Sequence, residues 1–241
     1  MQAVILAAGL GSRMGELTRD TPKPMLKIGD MSLLERNLQS LPEKITEVVV
    51  VIGHLGEKIR NYFGNKWQGR DVRYVEQKEL KGTAQALFLC QHLLQDRFLV
   101  IMGDDLYNGE DLKEMISHPL AVLVWEKKND EGKNSQAGVV KVNEQFELLD
   151  IIERQPTPKA SLVNCGAYVL NPDFFKYPLV SAGEPANEFG LPQTMMQMVK
   201  KGAKFFVVKA RWWHKVADPS DLSSRPPSRD PGNMDSGSGP E

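Results

Sequence analysis

Four short runs, AVILA (3–7), EVVVVIG (47–53), VRYVE (72–76) and RFLVIMG (97–103), are mostly apolar and rich in β-branched residues. Between them lie SLLERNLQSL (32–41), GEKIRNYFG (56–64) and TAQALFLCQHLL (83–94), where apolar residues recur at helical spacing. A strand covered on both faces needs no polar alternation, and a helix after each strand returns the chain to a parallel neighbour. The first half therefore reads as a parallel sheet flanked by helices.

From Leu120 the pattern changes. LAVLVWEK, AGVVKV, FELLDIIE and SLVNCGAYVL are strand-like with few helices between them. ANEFGLPQTMMQMVKKG reads as a helix ending at Gly202, its methionines serving as core packing, and AKFFVVKA as a further strand. The expectation is one α/β domain with a mixed sheet, whose β-rich second part builds the pocket of a second substrate. After Leu222 the chain becomes SSRPPSRDPGNMDSGSGPE, which reads as disordered, as a linker or a vector-encoded extension would.

Composition narrows the partners. Charged residues make up 25% of the 241 and the net charge is -1, so nothing draws the chain to nucleic acid or an anionic membrane. Cys90 and Cys165 sit in apolar surroundings and read as buried free thiols, which fits a reducing compartment. The N-terminus has no basic leader, and no run reaches the ~18 apolar residues of a membrane span, so a cytoplasmic location is expected. The four histidines share no motif, cysteines and histidines show no metal-ligand spacing, and no GxSxG nucleophile elbow is present.

Chemistry concentrates in LAAGLGSRMGELTRDTPKPML, Leu6 to Leu26, where the first strand turns glycine-rich. A P-loop needs Gly-Lys-Ser/Thr, which does not follow Gly11. A dinucleotide fingerprint needs GxGxxG and an acid ending the second strand; here Gly9, Gly11 and Gly15 are off-pattern, and that strand ends in Gly53 and His54. The remaining reading is a loop that cradles a nucleoside triphosphate while its α-phosphate is attacked. Gly9 and Gly11 open backbone N–H groups to oxygen atoms. Arg13 forks onto phosphate. Lys23, between Pro22 and Pro24, is expected on a stiff, extended segment.

LAAGLGSRM followed by TPKPML closely resembles the signature of the sugar-1-phosphate nucleotidylyltransferases, the nucleotide-sugar pyrophosphorylases, with further landmarks in order over most of residues 1–222. The likeness is greatest to members acting as glucose-1-phosphate thymidylyltransferases or N-acetylglucosamine-1-phosphate uridylyltransferases. It implies a Rossmann-like, mostly parallel sheet flanked by helices, with a smaller β-rich sugar-binding region: 1–118 as the nucleotide-binding half, 119–222 as the sugar-binding half, and 223–241 as tail. It implies Arg13 and Lys23 as catalytic cations, with Leu6, Ala8, Gly9 and Gly11 around the nucleotide. Gln77 would read a pyrimidine edge, and Gly82 and Thr83 would hold base and ribose. Asp104, in IMGDDLY, would hold Mg2+; Gly138, Glu153 and Asn164 would bind the sugar.

One landmark departs. RWWHKVADPSDL resembles a segment whose aspartate is the second magnesium ligand in most members, and Lys215 stands in its place. Either Lys215 is a cationic substitute that touches phosphate, or the metal site is weakened; His214 and Asp218 are nearby alternative ligands. The resemblance implies transfer of a nucleotidyl group from dTTP or UTP to a sugar-1-phosphate, releasing pyrophosphate, with glucose-1-phosphate or its N-acetylamino relative as acceptor. Two alternatives stay open: a cytidylyltransferase for a small phosphorylated alcohol such as phosphocholine, and a catalytically silent regulatory subunit that binds nucleotide-sugar. Self-association is open as well.

Overall fold

The structure is a computed structural model and describes residues 1–127, 137–155, 160–183 and 187–223. In chain order the strands begin with β1 (Gln2–Ala7), the small hairpin of β2 (Lys27–Ile28) and β3 (Met31–Ser32), and helix α1 (Leu33–Ser40). Then come β4 (Glu47–Ile52), α2 (Gly56–Phe63), β5 (Lys66–Trp67), β6 (Arg70–Glu76) and α3 (Gly82–Phe88). They are followed by β7 (Phe98–Met102), β8 (Asp105–Tyr107), α4 (Gly109–Met115) and β9 (Ala121–Glu126). The second half adds β10 (Ala137–Val142), β11 (Leu148–Gln155), β12 (Leu162–Leu170), α5 (Leu191–Lys200), β13 (Phe206–Lys209) and β14 (Trp213–Lys215).

Ten of these strands form one sheet. β6, β4, β1 and β7 lie side by side and parallel. From β1 the chain moves outward through β4 to β6, then returns across to β7 on the other side of β1. That reversal opens a crevice beyond the carboxyl ends of β1 and β7, the place where ligands of open α/β sheets sit. β12 is antiparallel to β7, pairing Tyr168 with Val100, and through β12 the same sheet continues into β9, β10, β11 and β13. β8 and β14 pair separately, setting Lys215 opposite Asp105.

Alternation along β1 divides the core. Val4, Leu6 and Ala8 pack with Leu87 of α3 and Met195 of α5; Ala3, Ile5 and Ala7 pack with Leu38 of α1, Ile59 of α2 and Leu112 of α4. The expected burial of Cys90, Cys165 and the methionines of α5 is borne out. α1 starts where its sequence says it should: Glu35 N–H donates to Ser32 Oγ at 3.2 Å, and Ser32 N–H donates back to Glu35 Oε2 at 2.7 Å.

Two helices are shorter than periodicity predicts. α3 ends at Phe88, and Cys90 and Leu93 close tighter turns by donating to Leu87 O and Cys90 O. α5 begins only at Leu191, because Phe189 is drawn out as a bridge: its N–H donates to Lys81 O, its carbonyl accepts from Ala84 N–H, and it pairs with Ser181. The C-terminal extension from Ser224 onward lies outside the described residues.

Candidate active site

The crevice at the ends of β1 and β7 brings the glycine loop and the strand-end aspartate together. Gly103 N–H donates to Leu6 O at 2.8 Å, locking the two strand ends side by side. Gly11 has φ +67°, and a Cβ there would sit 2.9 Å from both Lys23 Cβ and Thr18 Cγ2. Only glycine lets the loop close over the lysine. Lys23 is 6% exposed, and its Nζ donates to Asp104 Oδ2 at 2.6 Å.

The backbone at Lys23 differs from expectation. Pro22 and Leu26 are extended, but Lys23–Met25 is a single 3-10 turn, closed by Met25 N–H to Pro22 O (2.7 Å) and Leu26 N–H to Lys23 O (3.0 Å). Pro24 tolerates that turn because its missing N–H has no partner to lose in a first turn. The lysine is thus aimed by a turn and fixed by a carboxylate distant in sequence.

A cleft of 410 Å³ gathers every residue expected around the nucleotide: Leu6, Ala8, Gly9, Gly11, Arg13, Lys23, Gln77, Gly82, Thr83 and Asp104. A Cβ on Gly9 would meet nothing within 4 Å, so a side chain there would project into space the cleft leaves open. Arg13 is exposed. Gln77 is buried, and its Nε2 donates to Gly82 O (3.1 Å) and Gln85 Oε1 (2.6 Å). The Gly82 carbonyl can only accept, which fixes the amide orientation and leaves Gln77 Oε1 as the atom available to a ligand. Leu10 and Leu80, which sequence reasoning did not single out, also line this cleft although they are 52% and 36% exposed.

A second cavity of 270 Å³ adjoins the first, and Thr83 and Met102 line both. It contains Gly138, Glu153 and Asn164, the three residues expected around a sugar, together with Asp105, Tyr168, Gln193, Trp213 and Lys215. β10, β11 and β12 press the three together: a Cβ on Gly138 would lie 2.3 Å from Glu153 Oε1 and 3.2 Å from Asn164 Cβ. Asn164 Nδ2 donates to Glu153 Oε1 (3.3 Å) and Tyr168 Oη (2.7 Å), and its Oδ1 accepts from Gly166 N–H (3.1 Å). Gln193 Oε1 is buried with no hydrogen-bond partner among the described residues. Tyr168 and Gln193 carry no sequence signal, since both lie in runs that read as core.

Asp105 is buried and accepts from Trp213 Nε1 (3.1 Å) and Val216 N–H (3.3 Å). Burial, then the charge of Asp104, push its carboxyl up to about 7, while Lys215, Lys23 and the Val216 N–H act in the opposite direction. Lys215 is exposed and faces the second cavity. His214 lies against Asp221 O (3.0 Å) and Asp218 accepts from Ser220 N–H (2.9 Å), so both are tied into the turn that follows β14.

Residues 2–224 match the profile of a family described as nucleotidyl transferase. The chain belongs to that family. The bifunctional protein GlmU of Methanocaldococcus jannaschii is 29% identical over 222 residues, covering 92% of this chain and 52% of GlmU. The chain thus spans about half the length of that relative. The UTP–glucose-1-phosphate uridylyltransferase AglF of Haloferax volcanii is 28% identical over 220 residues, covering 88% of this chain and 89% of AglF. Among solved structures, the inositol-1-phosphate CTP transferase from T. maritima superposes with a TM-score of 0.74 at 24% identity, covering 92% of this chain and 91% of that one. That likeness establishes the nucleotide-diphospho-sugar transferase fold for this chain.

Among its described residues the chain has no group of three or more His, Cys, Asp or Glu side chains able to cage a metal. Asp104 keeps one carboxylate oxygen outside its bond to Lys23, and its side chain is 39% exposed. One carboxylate completed by substrate phosphate oxygens and water is a donor set that suits magnesium. No helix among the described residues is long and apolar enough to cross a membrane.

Proposed function

We propose that the chain transfers a nucleotidyl group from UTP or dTTP to a sugar-1-phosphate. The observation that carries this reading is the junction of two cavities beside the Lys23–Asp104 pair, one lined by the glycine loop and one by Gly138, Glu153 and Asn164. The residues from 1–118 carry the nucleotide, and those from 119–222 supply most of the acceptor wall.

A phosphate oxygen of the acceptor forms a bond to the α-phosphorus, the bond from that phosphorus to the bridging oxygen of the β-phosphate breaks, and pyrophosphate leaves with the bonding electrons. The attacking oxygen is already anionic, so no protein nucleophile or general base is needed. The protein's work is positioning and charge compensation. Gly9 and Gly11 present backbone N–H groups, Arg13 forks onto phosphate oxygens, and Lys23 exchanges Asp104 for the developing charge on the nucleotide. Asp104 would hold magnesium, which would supply further neutralisation of the phosphates.

Gln77 supports the pyrimidine assignment. Its Oε1 pairs with a ring N–H, which uracil and thymine have at the position where cytosine has a bare acceptor. Glu153 and Asn164 suit the hydroxyl or N-acetyl groups of glucose-1-phosphate or its N-acetylamino relative, and AglF is a uridylyltransferase for glucose-1-phosphate.

Pyrophosphate release, measured for each of five nucleoside triphosphates against a panel of sugar-1-phosphates and phosphocholine, tests the reading. The expected result is release with UTP or dTTP and a hexose-1-phosphate, dependent on magnesium. Release confined to CTP and phosphocholine would replace it with the cytidylyltransferase reading. No release from any pair, alongside tight binding of a nucleotide-sugar, would replace it with a binding subunit.

A further inference from the structure

β14 and the residues after it run along the boundary between the two cavities. Trp213 and Lys215, two residues apart and so on one face of a strand, both line the acceptor cavity; Ala217, two residues further, lines the nucleotide cleft. The segment is held firmly. Asp105 accepts from Trp213 Nε1 and Val216 N–H, gripping the chain on both sides of Lys215, and β8 pairs with β14 in the same register. Lys215 is exposed, and its charge acts on the Asp105 carboxyl opposite it.

A cation on an anchored strand at this boundary has a definite use. On the nucleotidyl-transfer reading, on which this inference rests, the acceptor's phosphate must reach the junction, next to a triphosphate of the same sign. Glu153 stands on a different wall, formed by β10, β11 and β12, where it is bonded to Asn164. The acceptor cavity thus has its lysine on the β14 side, beside the buried Asp105 whose carboxyl is raised to about 7, and the carboxylate of Glu153 on the sheet side.

We propose that Lys215 binds the phosphate of the acceptor, turning that group toward the nucleotide while the sugar hydroxyls meet Glu153 and Asn164. Lysine suits this role because a compact point charge can hold non-attacking phosphate oxygens without dictating a bidentate geometry. The site then selects phosphorylated acceptors over free sugars through Lys215, separately from the phosphate contacts of Arg13 and Lys23.

Trp213 in the same cavity is a built-in fluorescent reporter. Titrate the full chain and its Lys215→Met and Lys215→Arg variants with glucose-1-phosphate, N-acetylglucosamine-1-phosphate and glucose, with and without a non-hydrolysable UTP analogue. Lys215→Met should weaken sugar-1-phosphate binding roughly tenfold to a hundredfold, the size of one charge-assisted hydrogen bond. Glucose binding should not move, Arg should restore most of the affinity, and in turnover the acceptor KM should rise while the nucleotide KM stays. Unchanged sugar-1-phosphate binding in Lys215→Met, a loss equal for glucose and nucleotide, or no binding of either sugar phosphate by the unaltered chain overturns the proposal. Turnover with an unchanged acceptor KM in Lys215→Met sinks this proposal and leaves nucleotidyl transfer standing; charge-dependent binding without turnover for any pair does the reverse.

Discussion

Asp105 should make the stability of this protein fall as pH rises from about 4 to about 7. Burial is the main reason its carboxyl is raised from 3.8 to about 7. In the unfolded chain the same group titrates near its ordinary value of about 3.9. Between those two pH values the unfolded chain has released the proton and the folded chain has kept it, so the unfolded state binds fewer protons and stability declines with pH. The contribution is fully present below about pH 4, is lost progressively up to about pH 7, and is flat above. The slope approaches about 1.4 kcal/mol per pH unit, on the order of 4 kcal/mol across the window. Asp105→Asn cannot ionise and keeps one acceptor, suited to Trp213 Nε1. Its Nδ2 is a donor and stands where Oδ1 accepts from Val216 N–H, so that bond is lost at a cost of about 1–3 kcal/mol at every pH. The curves cross where the proton-linked loss equals that cost, between about pH 4.5 and about pH 6, so urea unfolding from about pH 4 to about pH 8 should show the unaltered protein ahead at the acid end and Asp105→Asn ahead at the alkaline end. Other carboxylates are common to both proteins and cancel in the difference. Parallel curves would refute the reasoning, since they would mean that Asp105 is ionised in the fold as readily as in water.

Lys23→Ala removes a buried ammonium from the nucleotide cleft and should lower kcat by roughly 10²-fold or more in a pyrophosphate-release assay; a change confined to KM would mean ground-state binding only. Gly138→Ala places a methyl group 2.3 Å from the present position of Glu153 Oε1, so steady-state kinetics should show a higher acceptor KM and an unchanged nucleotide KM. Met195→Ala empties a fully buried position on α5 and should cost ~2–5 kcal/mol in denaturant unfolding. Burial pushes the Cys90 thiol up to about 12 and Cys165 well above its ordinary value, so neither should react with a thiol reagent at neutral pH until the chain is unfolded.

What the chain reveals before folding depends on the range over which each feature is decided. β1 and β4 lie within a residue of their predicted ends, because an unbroken apolar run bounded by glycine or charge has one economical conformation between packed layers. α5 was expected to begin earlier, at the alanine and asparagine ahead of Glu188, but Phe189 is claimed by backbone bonds to Lys81 and Ala84, about a hundred residues back. Lys23 shows the same limit within the site. Its neighbouring prolines describe a stiff segment correctly, yet the direction of the side chain is set by Asp104, and a tandem of aspartates at a strand end does not announce which one faces a lysine.

Gln77 sits in a stretch, EQKELKG, that reads as solvated, and nothing local shows that its amide is buried against Gly82. The acceptor cavity is less legible still. Gly138, Glu153 and Asn164 can be recognised one by one, but their convergence depends on three antiparallel strands and on the irregular pairing of β12 between Asn164 and Tyr168, where Gly166 has φ +73°. That irregularity leaves Tyr168 Oη within reach of Asn164 Nδ2. Lys215 joins both kinds of information. The substitution is visible in the letters RWWHKVADPSDL, and by itself it speaks only of a metal position filled by a cation. Its placement with Trp213 on the acceptor side, while Ala217 lies on the nucleotide side, is a product of the β8–β14 pairing. On the proposed transfer, a positive charge on that side holds an acceptor phosphate for attack, and the residue that by sequence reads as a defect in metal binding gains a constructive position.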